Sequence, residues 1–544
     1  MIADRFFTWI NDKFNKATSF LDQIQTRHYF DCLIISLIVA ISFFVFGPSL
    51  DSNWGIVDDH EIMVFSPSYN PMGFRDLIPT YLTKTEISPS STLARFRPVY
   101  YFLRLLETRF FGSESPFLWY LARVGLFIIF ISVLYLFFKK INGRLIGGLL
   151  SLLIATFDFW ASILSRLGPS ETYAILGLTL FLVGVLILCK KRESNLAWFF
   201  LMLGTITAIG SKENMIVFLI PEIFLAFYYI RKPIKRNIFP FVMVAISIVW
   251  TVWIISTLFL RIKASGSDVY ANSVGLMARF SILLEYISQH IFQIVFIGLL
   301  LLGGILGLLV GKSKGLRPQF LKLVFGSTGI FLLIFSQVFF YSGSIWERYN
   351  FPYALFLPFT ISIAASFIQS LPFLQNKRVN YFSSFAMAAI IIIFFIHPAN
   401  ISKLHAVSKE CADATHQFKA NLDEIENYFS NNQNSPIVFY GNNPGSDYER
   451  IQSYIRYLRS DSYQNDVYIF RDPPSNYESI YPKLEASLEK ELVSWSTNGI
   501  SADGVKPIQG YFTNPSDCIF LSLAKEYPAS ITCETVINVS DNIQ

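Results

Sequence analysis

Residues 117–140 read FLWYLARVGLFIIFISVLYLFFKK, a long apolar run closed by Lys139 and Lys140. A transmembrane helix needs about 20 mainly apolar residues, and cytoplasmic connections retain Lys and Arg. This stretch therefore reads as a membrane span whose C-terminal end lies inside the cell.

The rest of the chain repeats the pattern. Of 544 residues, 53% are hydrophobic and only 15% charged, with 54 Phe, a balance foreign to an ordinary soluble protein. Apolar runs at 31–49, 117–138, 145–163, 172–189, 196–210, 214–230, 238–260, 287–310, 319–341, 351–371 and 380–397 give about eleven expected spans. The boundary Gly210-Ser211-Lys212-Glu213-Asn214 puts charge between two short runs. It is read as a tight hairpin, because one merged helix would invert everything after it.

Basic residues fall on every second connection: Lys139, Lys140 and Arg144; Lys190, Lys191 and Arg192; Arg231, Lys232, Lys235 and Arg236; Lys312, Lys314 and Arg317; Lys377 and Arg378. With Arg5, Lys13, Lys16 and Arg27 ahead of the first span, the N-terminus is expected in the cytoplasm and the C-terminal part outside. The net charge of +5 is accounted for by these inside loops, so no nucleic-acid partner is invoked. No A-x-A-like site follows the first apolar run, so that span is expected to stay as an anchor.

Three parts are expected: a cytoplasmic amphipathic segment 1–30, a polytopic α-helical membrane domain 31–397 with a long first external loop 50–116, and a soluble extracytoplasmic α/β domain 398–544. In the first, Phe6, Phe7, Trp9, Ile10 and Phe14 alternate with Asp4, Arg5, Asp12 and Lys13, as in an interfacial helix or an ordinary anchor flank. In the last, strands are expected at 436–440, 466–470, 518–523 and 531–539, and helices at 447–459 and 483–494. The loop Gly441-Asn442-Asn443-Pro444-Gly445 could cradle an anion or simply turn the chain. Spacing leaves a Cys518–Cys533 disulfide open in the exported part.

The chemistry concentrates on the outer face. The first loop opens with Trp54-Gly55-Ile56-Val57-Asp58-Asp59-His60-Glu61. Adjacent carboxylates repel, and partial burial raises the pKa of at least one, which suits a general base; helix capping is the plainer reading. The same loop carries Arg95-Phe96-Arg97-Pro98, with Arg104 and Glu107 on the following helical turns. Arginines kept on the outer side against the charge rule suit a phosphate grip, with interfacial snorkelling as the alternative. Glu171 with Arg166 and Tyr173, then Lys212-Glu213-Asn214, then Trp346-Glu347-Arg348-Tyr349, repeat the pairing of opposite charges at outer helix ends. Together they point to one polar cavity open to the outside.

The order Asp58-Asp59, Arg95-x-Arg97-Pro98, Gly168-Pro169-Ser170-Glu171, Ser211-Lys212-Glu213 and Glu347-Arg348 resembles the GT-C superfamily of polyprenyl-phosphate-sugar-dependent glycosyltransferases. It is closest to the transmembrane and tetratricopeptide-repeat O-mannosyltransferases. The resemblance covers the membrane domain only, since those relatives carry repeat helices where this chain has an α/β tail. It implies that Asp58, or else Asp59, is the catalytic base. It makes Arg95, Arg97, Lys212 and Arg348 donor-phosphate ligands, and Glu171, Glu213 and Glu347 supporting acids. Because the superfamily holds both metal-dependent and metal-independent members, the cofactor is left open. Asp59, His60 and Glu61 are the candidate ligands should a divalent metal bind.

The expected reaction is an inverting sugar transfer from a lipid-linked donor to a glycan, lipid or protein acceptor, in a bacterial inner membrane. The carboxylate deprotonates the acceptor hydroxyl while cations stabilise the departing lipid phosphate. The rivals are another envelope enzyme, such as a polymerase, ligase or acyltransferase, and a lipid flippase or transporter. An acyltransferase would need His290 or His397, both at span ends. A transporter would put its charges at mid-span.

Overall fold

The computed structural model describes residues 28–57, 96–191, 193–230, 238–265, 276–289, 351–369, 398–432, 435–440, 453–458, 467–470, 505–508 and 518–523. Isolated positions are described elsewhere, among them Asp59, Arg348, Cys533 and 535–538. Outside the described residues lie the N-terminal segment to residue 27, most of the runs 287–310, 319–341 and 380–397, the loop 441–445 and the expected helix 483–494.

The protein is a helical membrane protein. Among the described residues, four helices are long and apolar enough to cross a bilayer: α1 (Tyr29–Phe46), α3 (Phe117–Asn142), α6 (Glu171–Lys190) and, over Phe239–Leu260, α9 (Phe239–Ser265). Between them run α2 (Pro98–Phe111), α4 (Arg144–Ala155), α5 (Phe159–Leu164), α7 (Asn195–Ser211) and α8 (Leu219–Ile230). Then follow α10 (Leu276–Gln289), α11 (Phe356–Gln369) and α12 (Pro398–Asn431).

Among the described residues the expected eleven spans are not reached: the runs 287–310, 319–341 and 380–397 lie mostly outside them, and two others are broken where hydropathy does not register it. The run 145–163 is cut after Ala155. There Trp160 Nε1 donates to the Ile154 carbonyl at 2.6 Å and Thr156 Oγ1 donates to that of Leu153 at 3.0 Å. These side chains satisfy carbonyls that a continuing helix would have used. The twelve-residue α4 is then about 18 Å long, short of the roughly 30 Å hydrocarbon core. The run 214–230 likewise starts as a 3-10 helix, Glu213–Phe218, before α8.

Helices α6 and α7 are in backbone contact. A Cβ on Gly177 would lie 2.5 Å from the Ala208 amide nitrogen, and one on Gly204 would lie 2.5 Å from that of Phe181. Small residues let lipid-embedded helices approach this closely, where dispersion and interhelical contacts replace the hydrophobic drive. At the start of α1, Asp31 accepts from Tyr135 (2.5 Å), Lys139 (2.8 Å) and Arg144 (3.0 Å), tying α1, α3 and α4 together.

Pro98 opens α2 and Pro398 opens α12, each at a first-turn position where its missing N–H costs nothing. Along α12, Leu404, Ser408, Ala412, Thr415, Phe418, Leu422, Ile425 and Phe429 are buried at three- and four-residue spacing, the stripe of a helix lying against a core. Beyond it is an all-parallel sheet ordered β3-β2-β1-β4-β5, from β1 (Ile437–Tyr440), β2 (Val467–Phe470), β3 (Val505–Ile508), β4 (Ile519–Ser522) and β5 (Thr535–Asn538).

Alternation divides the central strands. Ile437, Phe439, Ile519 and Leu521 join the main core with Phe418 and Leu422 of α12 and Tyr454 and Leu458 of the helical stretch 453–458. Val438, Tyr440, Cys518 and Phe520 form a separate cluster on the other face. The Cys518–Cys533 disulfide is formed, just ahead of β4 and β5.

Candidate functional site

Helix α2 is the spine of the site. Arg97 is its N-cap residue, and Tyr100, Arg104 and Glu107 follow at three- and four-residue spacing, so all four lie along one side of the helix.

At its N-terminal end, Arg97 Nε donates to Glu213 Oε1 at 3.0 Å and Oε2 at 3.2 Å. Beside this pair, Lys212 at the end of α7 donates through Nζ to Glu171 Oε1 at the start of α6, and both side chains are buried. Arg97 and Arg348 act electrostatically on Lys212, and Arg348 acts on Glu171. Five residues from four separate stretches of sequence thus form one cluster. Three are cations and two are carboxylates. Arg97 and Glu213 stay partly open to solvent, whereas Lys212 and Glu171 do not.

Further along α2, Tyr100 donates through its hydroxyl to the Gly168 carbonyl at 2.9 Å, and Arg104 Nη2 donates to the Tyr100 oxygen at 2.7 Å. This anchors the connection that leads into Glu171. One turn on, Glu107 accepts both Arg123 guanidinium nitrogens, at 2.5 and 2.8 Å, and the Tyr173 hydroxyl. Sequence reasoning noted Arg104, Glu107 and Tyr173 but missed Arg123. The signal was there, an arginine seven positions into an apolar run, and a buried intramembrane charge requires a partner.

The acidic loop is described through Asp59. Asp59 is buried, and its Oδ2 accepts the Gly55 amide at 2.8 Å. The Asp59 amide donates to the Val57 carbonyl at 2.8 Å, so Asp59 folds back onto Gly55 and Val57. The carboxylate lies within electrostatic reach of Tyr120 and Tyr457, and Tyr457 also feels Arg104. Burial, reinforced by Asp59, holds the Tyr457 phenol well above the usual tyrosine range, so it remains a donor.

The loop is stapled to α12. Ser49 and Ser408 share a hydroxyl hydrogen bond at 2.9 Å, the Asn53 amide donates to Thr415 Oγ1 at 2.9 Å, and Asn53 Nδ2 meets His416 Nδ1 at 2.9 Å.

Of the residues expected to carry the chemistry, Asp59, Arg97, Glu171, Lys212, Glu213 and Arg348 are described. Asp58, His60, Glu61, Arg95 and Glu347 lie outside the described residues. Among the described residues no three His, Cys, Asp or Glu side chains gather as a metal site would need. Of the three candidate metal ligands only Asp59 is described. Chemically, the cation-rich cluster suits an anionic group. No protein-family model matches the chain, and no curated protein sequence matches it.

Proposed function

We propose that the protein is a membrane glycosyltransferase of GT-C type. It moves a sugar from a polyprenyl-phosphate donor to an acceptor hydroxyl on the extracytoplasmic side, with inversion. The observation that carries this reading is the gathering of Arg97, Glu171, Lys212, Glu213 and Arg348 into one cluster with more cations than carboxylates. A departing lipid phosphate needs such a counter-charge at a helix end, where the lipid tail stays in the bilayer.

Arg97 and Arg348 are the cations best able to meet the phosphate. Lys212, held by Glu171, fixes the floor of the cluster. An acidic residue of the first loop takes the acceptor proton as the hydroxyl attacks the anomeric carbon. The Gly55 amide bond to Asp59 favours Asp58 for that task and a turn-forming role for Asp59. The disulfide supports an exported C-terminal part, because such bonds persist in oxidising compartments. A bacterial inner membrane, with the N-terminus inside, accommodates all of this.

The test uses membrane vesicles carrying the full-length chain, offered undecaprenyl phosphate linked to labelled mannose, glucose, galactose or arabinose in turn. The proposal expects label from one donor to pass into the glycan, protein or lipid fraction, and Lys212→Met to stop it. Vesicles in which no donor loses sugar faster than in vesicles lacking the chain contradict it.

A further inference from the structure

We propose that Ser453 and Tyr457, in the C-terminal α/β part, are positioning residues for Asp59 of the first loop's acidic pair. The inference rests on the reading that this pair supplies the base. The reason lies in the turn itself. Val57 has φ of 64°, in the left-handed region that a β-branched side chain strongly avoids. Such a conformation persists only where surrounding contacts over-determine it.

Two of those contacts come from the same helical stretch. The Val57 amide donates to Ser453 Oγ at 2.9 Å, and the Tyr457 hydroxyl donates to the Gly55 carbonyl at 3.4 Å. Ser453 and Tyr457 are four residues apart, hence on one helix face, and both are buried. Between the two backbone groups they hold, the Gly55 amide reaches Asp59 Oδ2.

The strained residue immediately precedes Asp58. Its carbonyl accepts the Asp59 amide and the Gly55 amide reaches the Asp59 carboxylate, so Ser453 at Val57 and Tyr457 at Gly55 hold the two backbone groups that Asp59 closes on. The C-terminal part thus completes the site from 396 residues away in sequence. Removing one hydroxyl from Ser453 or Tyr457 takes away a hydrogen bond to the turn and leaves the apolar packing of Ile56 and Tyr457 in the core in place.

The experiment uses the full-length chain in vesicles, with whichever of the four undecaprenyl-phosphate sugars the wild type consumes. Ser453→Ala leaves the Val57 amide without its acceptor and is expected to lower kcat on the order of tenfold. Donor KM and thermal midpoint stay near wild type, and Ser453→Thr, which keeps the hydroxyl, recovers most of the rate. Tyr457→Phe, which removes only an oxygen, is expected to give the same kcat-selective loss, and it decides the matter should Ser453→Ala fold poorly.

Wild-type kcat in both Ser453→Ala and Tyr457→Phe, while Asp58→Asn or Asp59→Asn abolishes transfer, overturns the positioning role and leaves the base assignment standing. So does a parallel fall of kcat, KM and thermal midpoint that Ser453→Thr does not rescue. Full activity in both aspartate variants removes the base assignment, and this inference with it.

Discussion

Arg97 Nε donates to both carboxylate oxygens of Glu213, at 3.0 and 3.2 Å, across 116 residues of sequence. The pair is partly open to solvent, so an incoming phosphate can compete with Glu213 for the guanidinium. Arg97→Gln is expected to weaken binding of undecaprenyl phosphate by roughly tenfold or more, the worth of a hydrogen bond to a charged group. Glu213→Gln, which releases the guanidinium, should leave binding unchanged or tighter. Titration of nanodiscs holding the full-length protein separates the two.

Lys212 and Glu171 form a buried pair, and removing one partner strands the other's charge. Lys212→Met is expected to lower stability by about 3–5 kcal/mol. Adding Glu171→Gln should restore most of the thermal midpoint in detergent without restoring transfer. Midpoints that do not recover in the double variant would show that the pair is not what Lys212→Met disrupts.

Packing of α6 on α7 is what brings Glu171 to Lys212, and it depends on Gly204, whose added Cβ would lie 2.6 Å from the Gly177 carbonyl oxygen. Backbone cannot yield as a flexible side chain does. Gly204→Ala should therefore cost about 1–3 kcal/mol and reduce transfer, although residue 204 touches no substrate. Gly125→Ala, with open space around its Cβ position, serves as the control and should behave as wild type.

The chain has five Cys, and two of them form the Cys518–Cys533 bond. Alkylation of the unreduced, denatured protein should modify Cys32, Cys189 and Cys411 alone. Cys518→Ser with Cys533→Ser should lower the stability of the C-terminal part by about 2–4 kcal/mol. Modification at all five positions before reduction would contradict the bond.

The four long spans were legible because an apolar run of that length with so few charges is rare outside a bilayer-crossing helix. The charged cluster was legible too: Arg97, Glu171, Lys212 and Arg348 carry charge next to apolar runs. The break after Ala155 was not, because it turns on which side chains cap carbonyls, and Trp160 and Thr156 look like ordinary span residues. Arg123 vanished into a high mean hydropathy. Strand β3 was overlooked because Pro507 argues against a strand; the sheet order puts β3 at an edge, where a missing N–H is tolerated. The docking of Ser453 on Val57 joins positions too far apart for any local pattern to register.

The central claim is that an aspartate of the first loop removes the acceptor proton. Its most direct test is sugar transfer by Asp58→Asn and Asp59→Asn in vesicles, with undecaprenyl-phosphate binding measured on the same preparations. The account predicts that Asp58→Asn binds the lipid phosphate as the wild type does and transfers nothing, while Asp59→Asn is slowed through its turn. Full transfer by both variants would contradict it.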